Sequence, residues 1–321
     1  MKNTDELLID VDFREINSHK DLVQAISPIF NLPLKSNVHF NVNLNTSNIL
    51  YSDYLLLLAS SILHLRSIGI NVKGAFIGLD RASNKMKYAS RINFFDLIGF
   101  DFKEDFVRRD ATGRFTEIIF FNDANSIKVF RKLMKVISKD EVNQDMLVVL
   151  HYCLWEVLDN TIRHSKSDGT MSNGSGYVCV QYFPIKKEIR LMICDNGQGI
   201  HSALTSHPQS EFRNFSERES VLKCIEKGVT NSTGRGFGLW ATSKLVKENK
   251  GSLIIHSGNY QLLINNREEV INTSNWNGTY TFLRLNTNVS VNYDVIFEND
   301  GPKDSYKEFN EELFGNINQL W

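Results

Sequence analysis

An α/β protein in two units is the fold class this sequence predicts, and three observations carry the prediction. The chain has 321 residues, about two domains at ~150 residues each. From residue 37 onward, stretches with strand periodicity alternate with stretches of helical periodicity. Near residue 140 the pattern changes, from strand–helix–strand–helix to one long helix followed by hairpin strands and glycine-rich turns. Hydrophobic residues make up 42% and charged residues 23%, which supports real cores and excludes a chain disordered throughout. The expected organisation is an N-terminal arm (1–36), a first α/β unit (37–135), a second unit (140–290) and an acidic C-terminal tail (291–321).

The elements follow in order. Pro28 and Pro33 mark an irregular entry. Residues 38–44 alternate apolar and polar, a strand with one buried face. Ser52 or Asp53 can cap a helix that runs to Ile68 and stops at Gly69. Residues 72–79 form a second strand, and residues 84–97 read as a single helix ending near Gly99. A strand–helix–strand unit of this length implies a parallel pair. In the second unit, residues 146–164 form a long helix, and strands at 177–183 and 188–194 flank a turn as an antiparallel hairpin. A polar connection (201–214) leads to Ser216-Glu217-Arg218-Glu219, a capping-box signature that opens a helix ended by Gly228. A glycine-rich turn from Gly234 enters a helix that runs to Asn249, and strands at 252–256 and 279–285 close the unit.

Composition excludes several function classes. Lys plus Arg is 36 against 37 for Asp plus Glu, a net charge of −1, so there is no direct nucleic-acid signal. No apolar run approaches ~18 residues, so no membrane association is expected. Residues 1–6 show no basic segment leading into an apolar stretch, so no signal peptide is expected either. Cys153, Cys179, Cys194 and Cys224 form no CxxC pair, and buried reduced thiols in a cytoplasmic protein are expected.

Three segments carry chemistry. On the long helix, Glu156, Asn160 and His164 recur at i, i+4 and i+8 and share one face. A carboxylate on a helix this apolar needs compensation from a hydrated metal ion or ordered water, unless the face simply emerges into solvent. Next, an alternating strand runs directly into Asp195-Asn196-Gly197-Gln198-Gly199, where the glycines permit a tight turn and close backbone approach. A carboxylate just outside a strand end can accept a hydrogen bond from a ligand amine. Third, Gly234-Arg235-Gly236-Phe237-Gly238 precedes a helix, and backbone N–H groups at such a start cradle phosphate oxygens. The spacing is neither the dinucleotide fingerprint nor GxxxxGK[ST].

In this order the three segments resemble the N, G1 and G2 boxes of the GHKL superfamily. Its Bergerat ATP-binding fold is shared by histidine kinases, anti-sigma-factor serine kinases, gyrase B subunits, mismatch-repair ATPases and heat-shock chaperones of the ninety-kilodalton class. The resemblance spans residues 145–287. It implies a Bergerat-type α/β sandwich, a mixed sheet covered by helices. It further implies that Asn160 coordinates Mg²⁺, Glu156 positions or deprotonates the nucleophile, and Asp195 accepts from the adenine amino group. Gly197 and Gly199 then make room for base and ribose, while Gly234, Gly236 and Gly238 wrap the phosphates with Arg235 among them. Arg163 and His164 stand where the family places a basic residue and an aromatic or His, Thr279 stands near the adenine, and residues 201–233 form the lid.

The function so implied is that of a bacterial signalling protein, an Mg²⁺-dependent ATPase whose nucleotide state gates a partner interaction. The rivals are a serine/threonine protein kinase of the anti-sigma type and a non-hydrolysing nucleotide-gated scaffold. ATP or ADP and protein partners are expected ligands, with a homodimer among the assemblies the resemblance admits. Histidine autophosphorylation is not expected, because neither His64 nor His151 sits in an H-box context. Residues 37–102 resemble a STAS domain in element order, in Gly69-Ile70 and in the segment 93–100. Ser52 stands near the family's phosphorylated position, but the Asp-Ser-Ser-Gly signature is absent and helix capping alone accounts for a serine there.

Overall fold

The computed structural model describes residues 6–46, 48–78, 80, 83–138, 142–165, 174–208, 210–230 and 236–297. In chain order the first unit holds β1 (Glu6–Asp12), α1 (His19–Ile26), β2 (Asn37–Asn43), α2 (Ser52–Ser67), β3 (Asn71–Phe76), α3 (Asn84–Arg91) and α4 (Phe94–Leu97). The second holds β4 (Ile119–Asn122), α5 (Ser126–Ile137), α6 (Gln144–His164), β5 (Ser175–Phe183), β6 (Glu188–Cys194) and α7 (Gly199–Thr205). It continues with α8 (Glu217–Lys223), α9 (Gly238–Glu248), β7 (Ser252–Ile264), β8 (Glu268–Asn286) and α10 (Tyr293–Phe297).

The first unit is a parallel sheet in the order β1-β2-β3. The N-terminal arm expected over 1–36 is replaced here by β1 and α1. In β1, Asp10 and Asp12 alternate with Ile9 and Val11, and the two apolar residues are buried against the neighbouring elements. Ser18 and Asp21 form a reciprocal capping box that starts α1. The single helix expected over 84–97 is two, because Asn93 takes a left-handed conformation (φ 65°) and stops α3 before α4 begins.

α2 is buried almost all round, at Ser52, Asp53, every residue from Leu55 to Ile62, and Leu65. A helix apolar on every side needs two packing partners. Here they are the two sheets, since α2 and the first sheet share one core with Cys179, Met192, Cys194, Trp276, Tyr280 and Phe282 of the second. This placement corrects the expected cap. Tyr51 is the N-cap and makes no side-chain cap bond, while Ser52 and Asp53 lie in the first turn and are buried.

The second sheet has the order β4-β5-β6-β8-β7. Where a mixed sheet is expected, each of these neighbouring pairs is antiparallel, as the β5–β6 and β7–β8 hairpins require. β4 and α5 join this unit although the first was expected to run to residue 135. Phe121 and the apolar face of α5 pack with α6, α9 and the sheet. On β6, Ile189, Leu191 and Ile193 face that helical layer, while Met192 and Cys194 face α2. Burial on both faces accounts for the near-continuous apolar run of this strand.

The C-terminal side of the unit also departs from expectation. The polar connection expected over 201–214 begins with α7. The tail expected from residue 291 begins as α10, whose Ile296 and Phe297 are buried in the second core. Its acidic remainder, 298–321, lies outside the described residues. α8 opens on the expected capping box, with Ser216 and Glu219 satisfying each other's backbone N–H.

Candidate functional site

α6 supplies the first wall. Asn143 caps it by accepting from Met146 N at 3.3 Å and also bonds Val291, so the helix start is tied to the segment before α10. Its buried face holds Leu150, Cys153, Leu154, Val157 and Leu158, which leaves Glu156 and Asn160 half-buried at the edge of the core. Arg163 is exposed and pairs with Asp159 at 2.6 Å. His164 is half-buried and its pKa is lowered, first by desolvation and then by the neighbouring Arg163 charge.

β6 delivers the second wall. Its last residue is Cys194, and Asp195 follows with 7% of its surface exposed. Asp195 N donates to Thr279 O at 2.9 Å, and Trp276 Nε1 donates to Asp195 O at 3.1 Å, so the backbone here is fixed on both sides. Its Oδ1 accepts from Gly197 N at 2.8 Å. Burial pushes the carboxyl pKa up to about 7, with the Gly197 and Thr279 backbone bonds opposing that rise.

The glycines of this turn are dictated by contact. A β-carbon on Gly197 would stand 2.3 Å from Ser165 Cα, so the turn is pressed against the end of α6. Gly199 has φ +75° and a β-carbon there would stand 2.7 Å from Ser257 Oγ. Ser257 is the hub behind this turn. Its Oγ accepts from Ile200 N at 2.8 Å and from Thr279 Oγ1 at 3.4 Å, and donates to Gly278 O at 2.9 Å. Thr279 is thereby held next to the Asp195 turn. Trp276 and the hub role of Ser257 are parts of the site that the sequence motifs did not mark.

α9 supplies the third wall. Gly238, its first residue, lies on α6: a β-carbon there would stand 2.6 Å from Glu156 Cβ and 2.8 Å from Glu156 Oε2. The carboxylate of Glu156 is thus at the start of the helix that the glycine loop opens. Gly236 has φ +65° and its carbonyl accepts from Gly228 N at 3.0 Å, closing the neck of the loop. Gly234 and Arg235 lie outside the described residues.

The structure therefore brings Glu156 to Gly238, and the end of α6 to Gly197, Asp195 and Thr279. Arg163 is engaged by Asp159. This donor set fits a nucleotide. It offers a buried carboxylate at one end of α6, glycines with no room for side chains, and a helix N-terminus. It does not fit a protein-only metal centre, since no cluster of three or more His, Cys, Asp or Glu side chains occurs among the described residues. Asn160 offers one neutral oxygen, so Mg²⁺ would need phosphate and water to complete its shell. All four cysteines are buried and free. Among the described residues, no helix is long and apolar enough to cross a membrane.

No curated protein matches the sequence. Two solved structures of the ATPase region of Saccharomyces cerevisiae topoisomerase II are similar at low level. One, bound to dexrazoxane, shares 12% identity over 53% of this chain and 45% of that chain, with a TM-score of 0.22. The other shares 12% identity over 53% and 44%, with a TM-score of 0.21. The chain thus spans less than half the length of either topoisomerase structure. The family of histidine kinase-, DNA gyrase B-, and HSP90-like ATPases matches residues 147–286, from the start of α6 to the end of β8, which takes in all three walls of the site. Residues 147–286 thus resemble an ATPase domain of the GHKL type, over less than half of the chain.

Proposed function

We propose that this protein binds ATP together with Mg²⁺ and hydrolyses it, and that its nucleotide state gates contact with a protein partner. The observation that carries the reading is the contact of Glu156 with Gly238, which sets a carboxylate at the mouth of the glycine loop. Asp195 accepts from the adenine amino group in its ionised form. Gly197 and Gly199 serve by close packing against Ser165 and Ser257 rather than by leaving room for base and ribose, and they hold the turn with Thr279 beside it. The N-terminal N–H groups of α9, with Gly236 and the loop before it, take the phosphates. Mg²⁺ bound by Asn160 and the phosphates would neutralise charge on the phosphate oxygens. Glu156 orients the attacking water and receives its proton.

Residues 201–233, the proposed lid, include most of α7 and all of α8 and lead into the glycine loop, so a partner that reads lid position would read nucleotide state. The STAS-like character of the first unit remains part of this proposal. Ser52 is 1% exposed, which withholds its hydroxyl from phosphoryl transfer in this conformation.

The test is incubation of wild type and Glu156→Ala with γ-labelled ATP, scoring free phosphate and labelled protein. We expect wild type to release phosphate, and the variant to bind ATP while losing turnover by ~10²-fold or more. Label on an added STAS protein would replace this reading with the kinase. Equal silence of both proteins, with ATP bound, would replace it with the scaffold.

A further inference from the structure

Ser60 sits in the middle of α2, in the first unit, with 0% of its surface exposed. A buried helical serine ordinarily returns its hydroxyl to the carbonyl four residues back. Its neighbour Ser61 does so, donating to Leu57 O at 2.9 Å. Ser60 instead donates out of its helix to Asn196 Oδ1 at 2.6 Å, across 136 residues of sequence. Asn196 is the residue after Asp195, and its Nδ2 reaches Asn277 O at 3.4 Å. Asn277 precedes Gly278, which lies against the Asp195 carboxylate. The side chain of Asn196 therefore joins α2 to both strands of backbone that hold Asp195.

α2 has little freedom to move away from this contact. At its other end Asp53 receives Arg190 Nη2 at 2.7 Å and Arg190 Nε at 3.2 Å, on the strand that carries Asp195. Between the two polar contacts lie the buried Leu55, Leu56, Leu57, Leu58 and Ala59.

We infer that Ser60 is a positioning residue for the adenine end of the nucleotide site: through Asn196 it fixes the 195–199 turn, so the first unit completes the site of the second. The inference rests on the ATP-binding reading above. A partner or modification that shifted α2 would act on nucleotide affinity through this hydrogen bond.

The test is a double-mutant cycle in the full chain, read by calorimetry with ATP, ADP and adenosine. Ser60→Ala should bind all three more weakly by about three- to tenfold, the scale of one lost hydrogen bond. The loss should be equal for the three ligands, because the turn serves the base and not the phosphates. Ser60→Cys, which keeps the volume and loses the strong donor, should match it and stands in if the alanine variant fails to fold. In an Asn196→Ala background, Ser60→Ala should cost nothing further. Parent affinity in the Ser60 variants, a loss confined to ATP, or losses that add in the double variant would each overturn the inference. Asp195→Asn separates the two readings. If Asp195→Asn loses binding while the Ser60 variants keep it, only this inference falls. If wild type binds no adenine nucleotide, or Asp195→Asn binds as well as wild type, the ATP-site reading falls and takes this one with it.

Discussion

Gly278 lies against the carboxylate of Asp195: a β-carbon at position 278 would stand 2.6 Å from Asp195 Oδ1, 2.4 Å from Asp195 O and 2.6 Å from Gly197 N. Two of these three atoms are backbone and cannot swing aside. Gly278 also has φ +95°, a conformation that side chains strain against. Gly278→Ala should lower stability by at least about 1–3 kcal/mol. It should also weaken ATP binding tenfold or more, because the turn would have to open. Urea unfolding and calorimetry measure the two effects, and a parent-like result in both would show that the turn has slack.

Asp195 is expected to oppose stability. Its folded pKa, about 7, lies above the ordinary carboxylate value of 3.8, so the folded state binds its proton more tightly than the unfolded state. Stability therefore falls as pH rises between those two values, by at most about 1.4 kcal/mol per pH unit. Asn at this position keeps an oxygen to accept from Gly197 N and carries no charge. Asp195→Asn should be more stable than wild type at pH 8, with the advantage shrinking toward zero near pH 4. Thermal melts across that range check it, and an advantage independent of pH would contradict the assigned cause.

Asp53 works in the opposite direction. It is 1% exposed and receives His19 Nε2 at 2.6 Å as well as Arg190. Burial raises its pKa, but the Arg190 charge and the His19 hydrogen bond together hold it well below the usual carboxylate range. Its contribution is therefore present above about pH 4 and lost as pH falls further. Removing one partner strands the other as a buried charge, so Asp53→Ala should cost about 3–5 kcal/mol near neutral pH. The double variant Asp53→Leu/Arg190→Met should lose less than the single. Urea unfolding of both decides, and a single variant within ~1 kcal/mol of wild type would contradict the pairing.

How much of this was legible in the sequence depended on distance along the chain. Glu156 and Asn160 share a face through helical spacing, and Asp195 follows a strand whose alternation marks its end. Ser216 and Glu219 satisfy each other across three residues. Each of these depends on neighbours in sequence, and the structure places each where the pattern put it. The bond of Ser60 to Asn196 and the pairing of Asp53 with Arg190 join segments more than 130 residues apart, and no local pattern encodes them. The all-round burial of α2 was written in its run of leucines. That run says only that the helix is covered, and the second sheet as its cover is a tertiary fact. The strand β1 is short and only Ile9 and Val11 of its inward face are fully buried, and parallel pairing with β2 supplies the backbone partners that its own sequence does not announce. The left-handed Asn93 that divides α3 from α4 is a conformation Asn tolerates, so it left no breaker signal of the kind Gly or Pro would give.

The central claim is that a buried carboxylate at the end of β6 reads the adenine amino group. A calorimetric titration of wild-type protein with ATP and with GTP, in Mg²⁺ at pH 8, tests it most directly. Guanine presents a carbonyl where adenine presents the amino group, and a carbonyl facing the Asp195 carboxylate is repelled. ATP should bind clearly more tightly than GTP, and Asp195→Asn should weaken ATP binding and erase most of the preference. Equal affinities for the two nucleotides in the wild type would contradict the assignment of Asp195.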